Sequence, residues 1–244
     1  MTRIHRGVFV LLALLLAVSW LGSYFLFAQG RKFYLQMNAI RLDPLGLEIH
    51  SVALPRGDKP IVVFFGDSRA AEWSAPSGLS QFEFRNLGIG SQTTAQVLGR
   101  FNQHVLPVKP DWLILQVGIN DLKTLALFPH RADEIMESCK RNINDVIQAC
   151  RMADIKVIVT TVFPLGSVPW ERRLFWSDEV AKRTLEINTW VRQQETEGVR
   201  VFDSFEILQG NDGKIRPEFS RDLLHLRPEG YEALNRGLVT FLRD

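Results

Sequence analysis

Ser68, His225 and Asp222 supply a nucleophile, a base and an acid, and each sits in a short motif. Gly66-Asp67-Ser68 ends one apolar run, and Asp222-Leu223-Leu224-His225 lies just ahead of the last helical pattern. A third motif, Gly118-Ile119-Asn120-Asp121, follows another apolar run and offers a side-chain amide. A serine hydroxyl is a weak nucleophile until an adjacent base takes its proton. Imidazole suits that task, and a carboxylate at its far edge fixes the tautomer and stabilises the imidazolium that forms. Asp and His three residues apart on a tight loop can meet in that way. Activity is then expected to rise with pH as His225 loses its proton.

Attack on an ester also needs donors for the developing oxyanion, each worth about 2.7–4 kcal/mol of barrier. The expected donors are the Ser68 backbone N–H, a backbone N–H in the Gly90-Ser91 turn and the Asn120 amide. Taken singly, these residues have ordinary readings as well. Ser68 suits a helix N-cap, Gly88 and Gly90 suit a turn that needs a permissive backbone, and Asn120 suits an Asx-turn. Asp222 alone is a loop residue, and His225 alone is a surface histidine.

Chemistry at four distant segments requires a frame that brings them together. Five β-rich runs are expected: Ile61–Phe65, Phe82–Leu87, Trp112–Val117, Lys156–Phe163 and Val199–Phe202. Between them, apolar residues recur at a spacing near 3.6 over 93–106, 132–153, 178–197 and from Pro228 onward. Strands alternating with helices imply a parallel sheet covered on both faces. Ligands of such sheets bind beyond the carboxyl ends of the strands, where Ser68, Gly88–Ser91 and Asn120 fall.

The ordered set of motifs resembles the SGNH hydrolases, also called the GDSL esterase and lipase family, over about residues 60–244. Gly66-Asp67-Ser68 matches the first block, and Asn86-Leu87-Gly88-Ile89-Gly90-Ser91-Gln92-Thr93-Thr94 resembles the second. Gly118-Ile119-Asn120-Asp121 matches the third, and Asp222-Leu223-Leu224-His225 the last. The resemblance implies a three-layer α/β/α flavodoxin-like sandwich with a five-stranded parallel sheet. It also implies a Ser68–His225–Asp222 triad, hydrolysis of esters or thioesters, and neither a metal nor an organic cofactor. The chain contains no His-Glu-x-x-His, phosphate-binding loop or Cys-x-x-Cys. An α/β-hydrolase fits less well, because Gly66 to Ala70 is not Gly-x-Ser-x-Gly. Two departures stand out. Arg69 replaces the leucine of the family name, as a surface residue or as a group favouring anionic substrates. The family's oxyanion glycine aligns with Ser91 rather than Gly90.

The N-terminus points to a membrane. No charge occurs between Arg6 and Arg31, and Gly7–Ala28 is almost wholly apolar. As a helix that run spans ~33 Å, enough for a bilayer core. Arg3 and Arg6 ahead of it place the N-terminus in the cytoplasm and the main domain outside. A cleaved signal peptide is the rival reading, although Leu26-Phe27-Ala28 makes a poor cut site. The expected organisation is an anchor over 1–28, a connector over 29–59 with a turn at Asp43-Pro44-Leu45-Gly46, and the catalytic domain over 60–244. The 244-residue chain carries a formal +2, but residues 1–32 account for +4, leaving 25 basic and 27 acidic residues beyond them. That balance argues against a nucleic-acid partner. Cys139 and Cys150 fall on one predicted helix roughly 16 Å apart, too far for a disulfide.

Leu122, Leu125, Leu127 and Phe128 follow Asn120 and would line an acyl pocket or pack beneath a long loop. Trp170, Arg172, Arg173, Phe175 and Trp176 fall within 164–177, on the same sheet edge as Ser68. That segment suits a lid, a sugar-stacking platform or a bilayer contact. The expected function is a membrane-anchored serine esterase acting on a small-molecule, lipid or glycan ester. The alternatives are an O-acyltransferase acting on an envelope glycan and a non-catalytic binding module on the same fold.

Overall fold

In the computed structural model, which describes residues 3–50 and 57–243, the five apolar runs become one parallel sheet. The strands are β1 (Ile61–Gly66), β2 (Glu83–Gly88), β3 (Trp112–Gln116), β4 (Lys156–Thr160) and β5 (Val199–Phe202), in the order β2-β1-β3-β4-β5. The chain steps from β1 outward to β2, then returns to lay β3 along the other side of β1. The strand order therefore reverses between β1 and β3, the place where open sheets form a crevice for ligands. β4 stops at Thr160 rather than Phe163, because its partner β5 ends opposite it at Phe202.

Alternating side chains on the strands build two cores. Ile61, Val63 and Phe65 of β1 face one layer, while Val62 and Phe64 face the other. The first layer is closed by α3 (Thr94–Gly99), α6 (Ala132–Met152) and α7 (Glu179–Arg192). Met136, Cys139, Ile143, Val146, Ile147 and Cys150 form the buried stripe of α6. Both cysteines are free thiols; burial pushes Cys139 well above the ordinary range and Cys150 up to about 12. The second layer is closed by α8 (Ser204–Leu208), through Leu208, and mainly by α9 (Pro228–Phe241), through Tyr231, Leu234 and Leu238. The result is the three-layer α/β/α sandwich expected from the sequence.

One helix is broken where the sequence reading had it continuous. The helix expected over 93–106 is broken at Arg100, where α3 gives way to the short α4 (Phe101–His104). Gly99 lies so close to Leu45 that a Cβ there would meet Leu45 Cδ2 at 2.9 Å. The Arg100 guanidinium is drawn beneath the sheet edge.

Contacts divide the chain into two units, Met1–Pro44 and Leu45–Asp244. In the first, α1 runs Arg3–Leu42, fourteen residues beyond the expected end at Ala28. Residues 29–42 contain no proline, and Pro44 is what stops the helix. The stretch His5–Leu42 has a mean hydropathy of 2.2 at its most apolar and is long enough to cross a membrane. In the second unit, part of the expected connector packs on the domain. The Leu45 and Leu47 carbonyls accept from Gln92 and His104, and His50 Nε2 donates to Gly88 O. Residues 51–56 of that connector lie outside the described residues.

Candidate active site

Ser68 opens α2 (Ser68–Ala71) at the carboxyl end of β1. The turn into it is sharp. Gly66 has φ 150, and a Cβ there would fall 1.7 Å from Gln116 O on β3. Gly88, at the end of β2, would likewise drive a Cβ to 2.2 Å from Ala71 N. Three strand ends and the nucleophile helix thus meet at backbone contact. Asp67 caps α2 by accepting from Arg69 N at 2.9 Å. The Asn86 amide donates to Ala70 O at 2.8 Å and Trp73 O at 3.0 Å, holding the other end of the turn.

Ser68 Oγ lies 3.1 Å from His225 Nε2. His225 Nδ1 lies 3.0 Å from each oxygen of Asp222. Asp222 Oδ1 also accepts from the backbone N–H groups of Leu224 and His225, at 2.8 and 2.9 Å. Burial would raise the Asp222 pKa, but these bonds and the imidazole outweigh it and hold the carboxyl below its ordinary range. Leu223 and Leu226 plug into opposite cores, which leaves Asp222 just ahead of the first plug, and His225 between the two, for the site. Gly166 packs against this loop, donating to Leu223 O at 2.8 Å. A Cβ on Gly166 would meet Asp222 O at 2.5 Å.

Across the crevice lie the other sequence-derived residues. Gly90 is close to Ser68: a Cβ there would sit 3.9 Å from Ser68 Cβ. Ser91 follows in left-handed backbone with φ 65, the conformation that glycine usually supplies. Asn120 lies on α5 (Ile119–Leu122), just past the end of β3. Its Nδ2 donates to Gln92 O at 2.9 Å, which fixes the amide plane; an amide nitrogen carries a second N–H. The Ser68 N–H belongs to the first turn of α2, where backbone donors lack helical partners.

Several residues given no role from sequence hold this region. Asp121 accepts from Thr94 N at 2.9 Å and Thr94 Oγ1 at 2.6 Å, tying α5 to α3; burial raises its pKa. Gln92 donates to Leu45 O and accepts from Arg100 Nε. Arg100 is fully buried and donates to Leu87 O at 2.7 Å and Gly66 O at 2.8 Å, so it clasps the ends of β2 and β1. Gln92 and Thr94 stood inside the second motif, but nothing in the sequence marked Arg100.

Arg69 corrects the sequence reading. It is 0% exposed, so it is neither a surface residue nor a group that faces substrate. Its Nε donates to Leu224 O at 2.9 Å and its Nη1 to Phe163 O at 3.2 Å. Burial lowers the Arg69 pKa to about 10 and raises that of neighbouring Asp67 to about 6. The residues after Asn120 also divide. Leu122 and Leu125 are core, while Leu127 and Phe128 are exposed. In the 164–177 segment, Trp170, Leu174 and Phe175 are exposed and Trp176 packs against the core. Among the described residues, no group of three or more His, Cys, Asp or Glu side chains is placed to hold a metal ion.

The family of GDSL-like lipases and acylhydrolases matches this sequence over residues 64–233. The chain belongs to that family. The match runs from β1 into α9 and includes the Ser68 turn and the His225 loop. A GDSL-like lipase from Bacteroides thetaiotaomicron superposes with a TM-score of 0.60 at 21% identity, covering 82% of this chain and 96% of that one. A lipase/acylhydrolase from Enterococcus faecalis gives a TM-score of 0.54 at 23% identity, over 76% and 95%. At such identities the likeness is one of fold. In sequence, the chain is 29% identical over 133 residues to the uncharacterized lipoprotein YqeF of Bacillus subtilis (strain 168). That stretch is 47% of this chain, and the chain spans about half the length of that curated relative.

Proposed function

We propose that this GDSL-family protein is a membrane-anchored serine esterase with Ser68 as nucleophile, His225 as base and Asp222 as acid. The observation that carries the reading is the unbroken hydrogen-bond path from Ser68 Oγ through both imidazole nitrogens to Asp222. In the first half-reaction, Ser68 Oγ attacks the ester carbonyl and its proton passes to His225 Nε2. The carbonyl π pair moves onto oxygen, which is met by the Ser68 N–H, a backbone N–H of the Gly90-Ser91 turn and the Asn120 amide. Collapse expels the alkoxide, which takes the proton from His225 and leaves an acyl-Ser68 ester. Water then attacks that ester, with His225 accepting its proton and returning it to Ser68 Oγ. Asp222, held ionised, keeps Nδ1 protonated throughout.

The apolar length of α1 supports anchoring, and the positive charges of Arg3 and Arg6 ahead of it favour a domain outside the cytoplasm. The Bacillus relative is named a lipoprotein, in keeping with an envelope location. The substrate class is then an acyl ester on a lipid or an envelope glycan. The test is hydrolysis of p-nitrophenyl esters from acetyl to palmitoyl by the detergent-solubilised full chain, beside Ser68→Ala. Turnover lost in the variant supports the reading, and turnover unchanged in the variant overturns it.

A further inference from the structure

We infer that Arg69 is a positioning residue that sets the His225 loop in register with Ser68; this rests on the triad assignment above. Arg69 is bonded in sequence to the nucleophile, yet its side chain serves two segments 94 and 155 residues away. One is the exit of β4, where Phe163 O and Pro164 O accept from Nη1 and Nη2 at 3.2 and 3.5 Å. The other is Leu224 O, which accepts from Nε at 2.9 Å. The guanidinium also lies 5.1 Å from the Phe163 ring centre.

Leu224 O belongs to the peptide that joins Leu224 to His225. Fixing that carbonyl fixes the plane from which the His225 backbone departs, and so where its imidazole points. The loop does not depend on Arg69 to stay on the domain. Leu223 and Leu226 are each 1% exposed in separate cores, and Gly166 and Arg221 add contacts of their own. Arg69 governs the stretch between those two plugs. A planar guanidinium spreads its donors over three nitrogens and engages three separated carbonyls at once, whereas a lysine ammonium gathers its three donors on one nitrogen and a leucine has none. The departure from the family's leucine is thus a polar clamp built into the nucleophile turn. Because small displacements of reacting groups cost about 10²-fold in rate, such a clamp acts on turnover.

The experiment compares Arg69→Leu, Arg69→Gln and Arg69→Lys with wild type, all as full chains. It measures kcat and KM on a soluble short-chain ester, the rate of Ser68 labelling by a fluorophosphonate, and thermal unfolding. The expected result for Arg69→Leu is kcat lower by about 10–100-fold with KM within about twofold. Labelling should slow in the same proportion. Arg69→Lys keeps the buried charge beside Asp67 but not the fork, and is expected to fold like wild type while recovering only part of the rate. A folded Arg69→Leu, Gln or Lys with wild-type kcat and labelling overturns the inference, as does a loss seen only in KM. If wild type itself shows no Ser68-dependent labelling, the triad assignment has failed instead.

Discussion

The two sides of the crevice are built by opposite means. On one side, the Asp222–His225 loop reaches toward solvent: the Asp222 side chain is 50% exposed and that of His225 is 26% exposed. It is aimed by point contacts, namely two leucine plugs, the Gly166 N–H and the Arg69 guanidinium. On the other side, Asn120, Gln92, Thr94, Asp121 and Arg100 are all buried and bonded to one another or to strand ends. In the proposed reaction, the group that moves protons needs access to water and leaving alcohol. The group that stabilises charge needs fixed dipoles in a dry setting, where they act without reorganising. Variants on the first side are therefore expected to damage rate more than stability, and those under the second to damage both.

The largest effect should come from His225→Ala, with kcat lower by about 10⁴–10⁶-fold and thermal unfolding nearly unchanged. A matching collapse of stability would erase the contrast between the two sides. Asn120→Ala comes next. Losing one oxyanion donor lowers kcat by about 10²–10³-fold, and because the amide also binds Gln92 O, some stability should go with it. Steady-state kinetics beside differential scanning calorimetry measures both parts.

Arg100→Met probes the dry side without touching substrate. It removes the guanidinium from Gly66 O, Leu87 O and Gln92 Oε1; Gly66 O keeps the Ile89 N–H at 3.0 Å, and each buried acceptor left unsatisfied costs about 1–3 kcal/mol. A loss of about 3 kcal/mol or more is expected, a fall in Tm of roughly 6–12 °C. An unchanged Tm would mean that this turn is not held from beneath. The smallest effect concerns acid. The folded-state pKa of Asp222 is depressed, so its stabilising contribution is present above the ordinary carboxylate range and lost as pH falls through the lowered value. Urea midpoints of wild type and Asp222→Asn should therefore converge on acidification. A gap that stays constant would show that the Leu224 and His225 N–H bonds do not depend on the charge.

Much of the fold is legible in the sequence. The five strands announce themselves because strands buried on both faces are continuous apolar runs. The motifs around Ser68, Gly90 and Asn120 stand out because they follow strand ends, where ligands of open sheets bind. Less legible was where regular elements stop. β4 ends where its partner β5 ends, and the 93–106 pattern breaks where the Arg100 guanidinium turns to the carbonyls that end β1 and β2. Least legible were Arg69 and Arg100. Nothing in the sequence near an arginine tells whether distant carbonyls will converge on it, and both guanidiniums are buried only because Leu224, Phe163, Gly66 and Leu87 present theirs.

The most direct measurement of the central claim is mass spectrometry of the folded full chain after reaction with a fluorophosphonate, with peptide mapping of the adduct. The account predicts one adduct, on Ser68, formed quickly in wild type, far more slowly in His225→Ala and absent in Ser68→Ala. Ester turnover by a chain that carries no adduct on Ser68, or that survives Ser68→Ala, would contradict it.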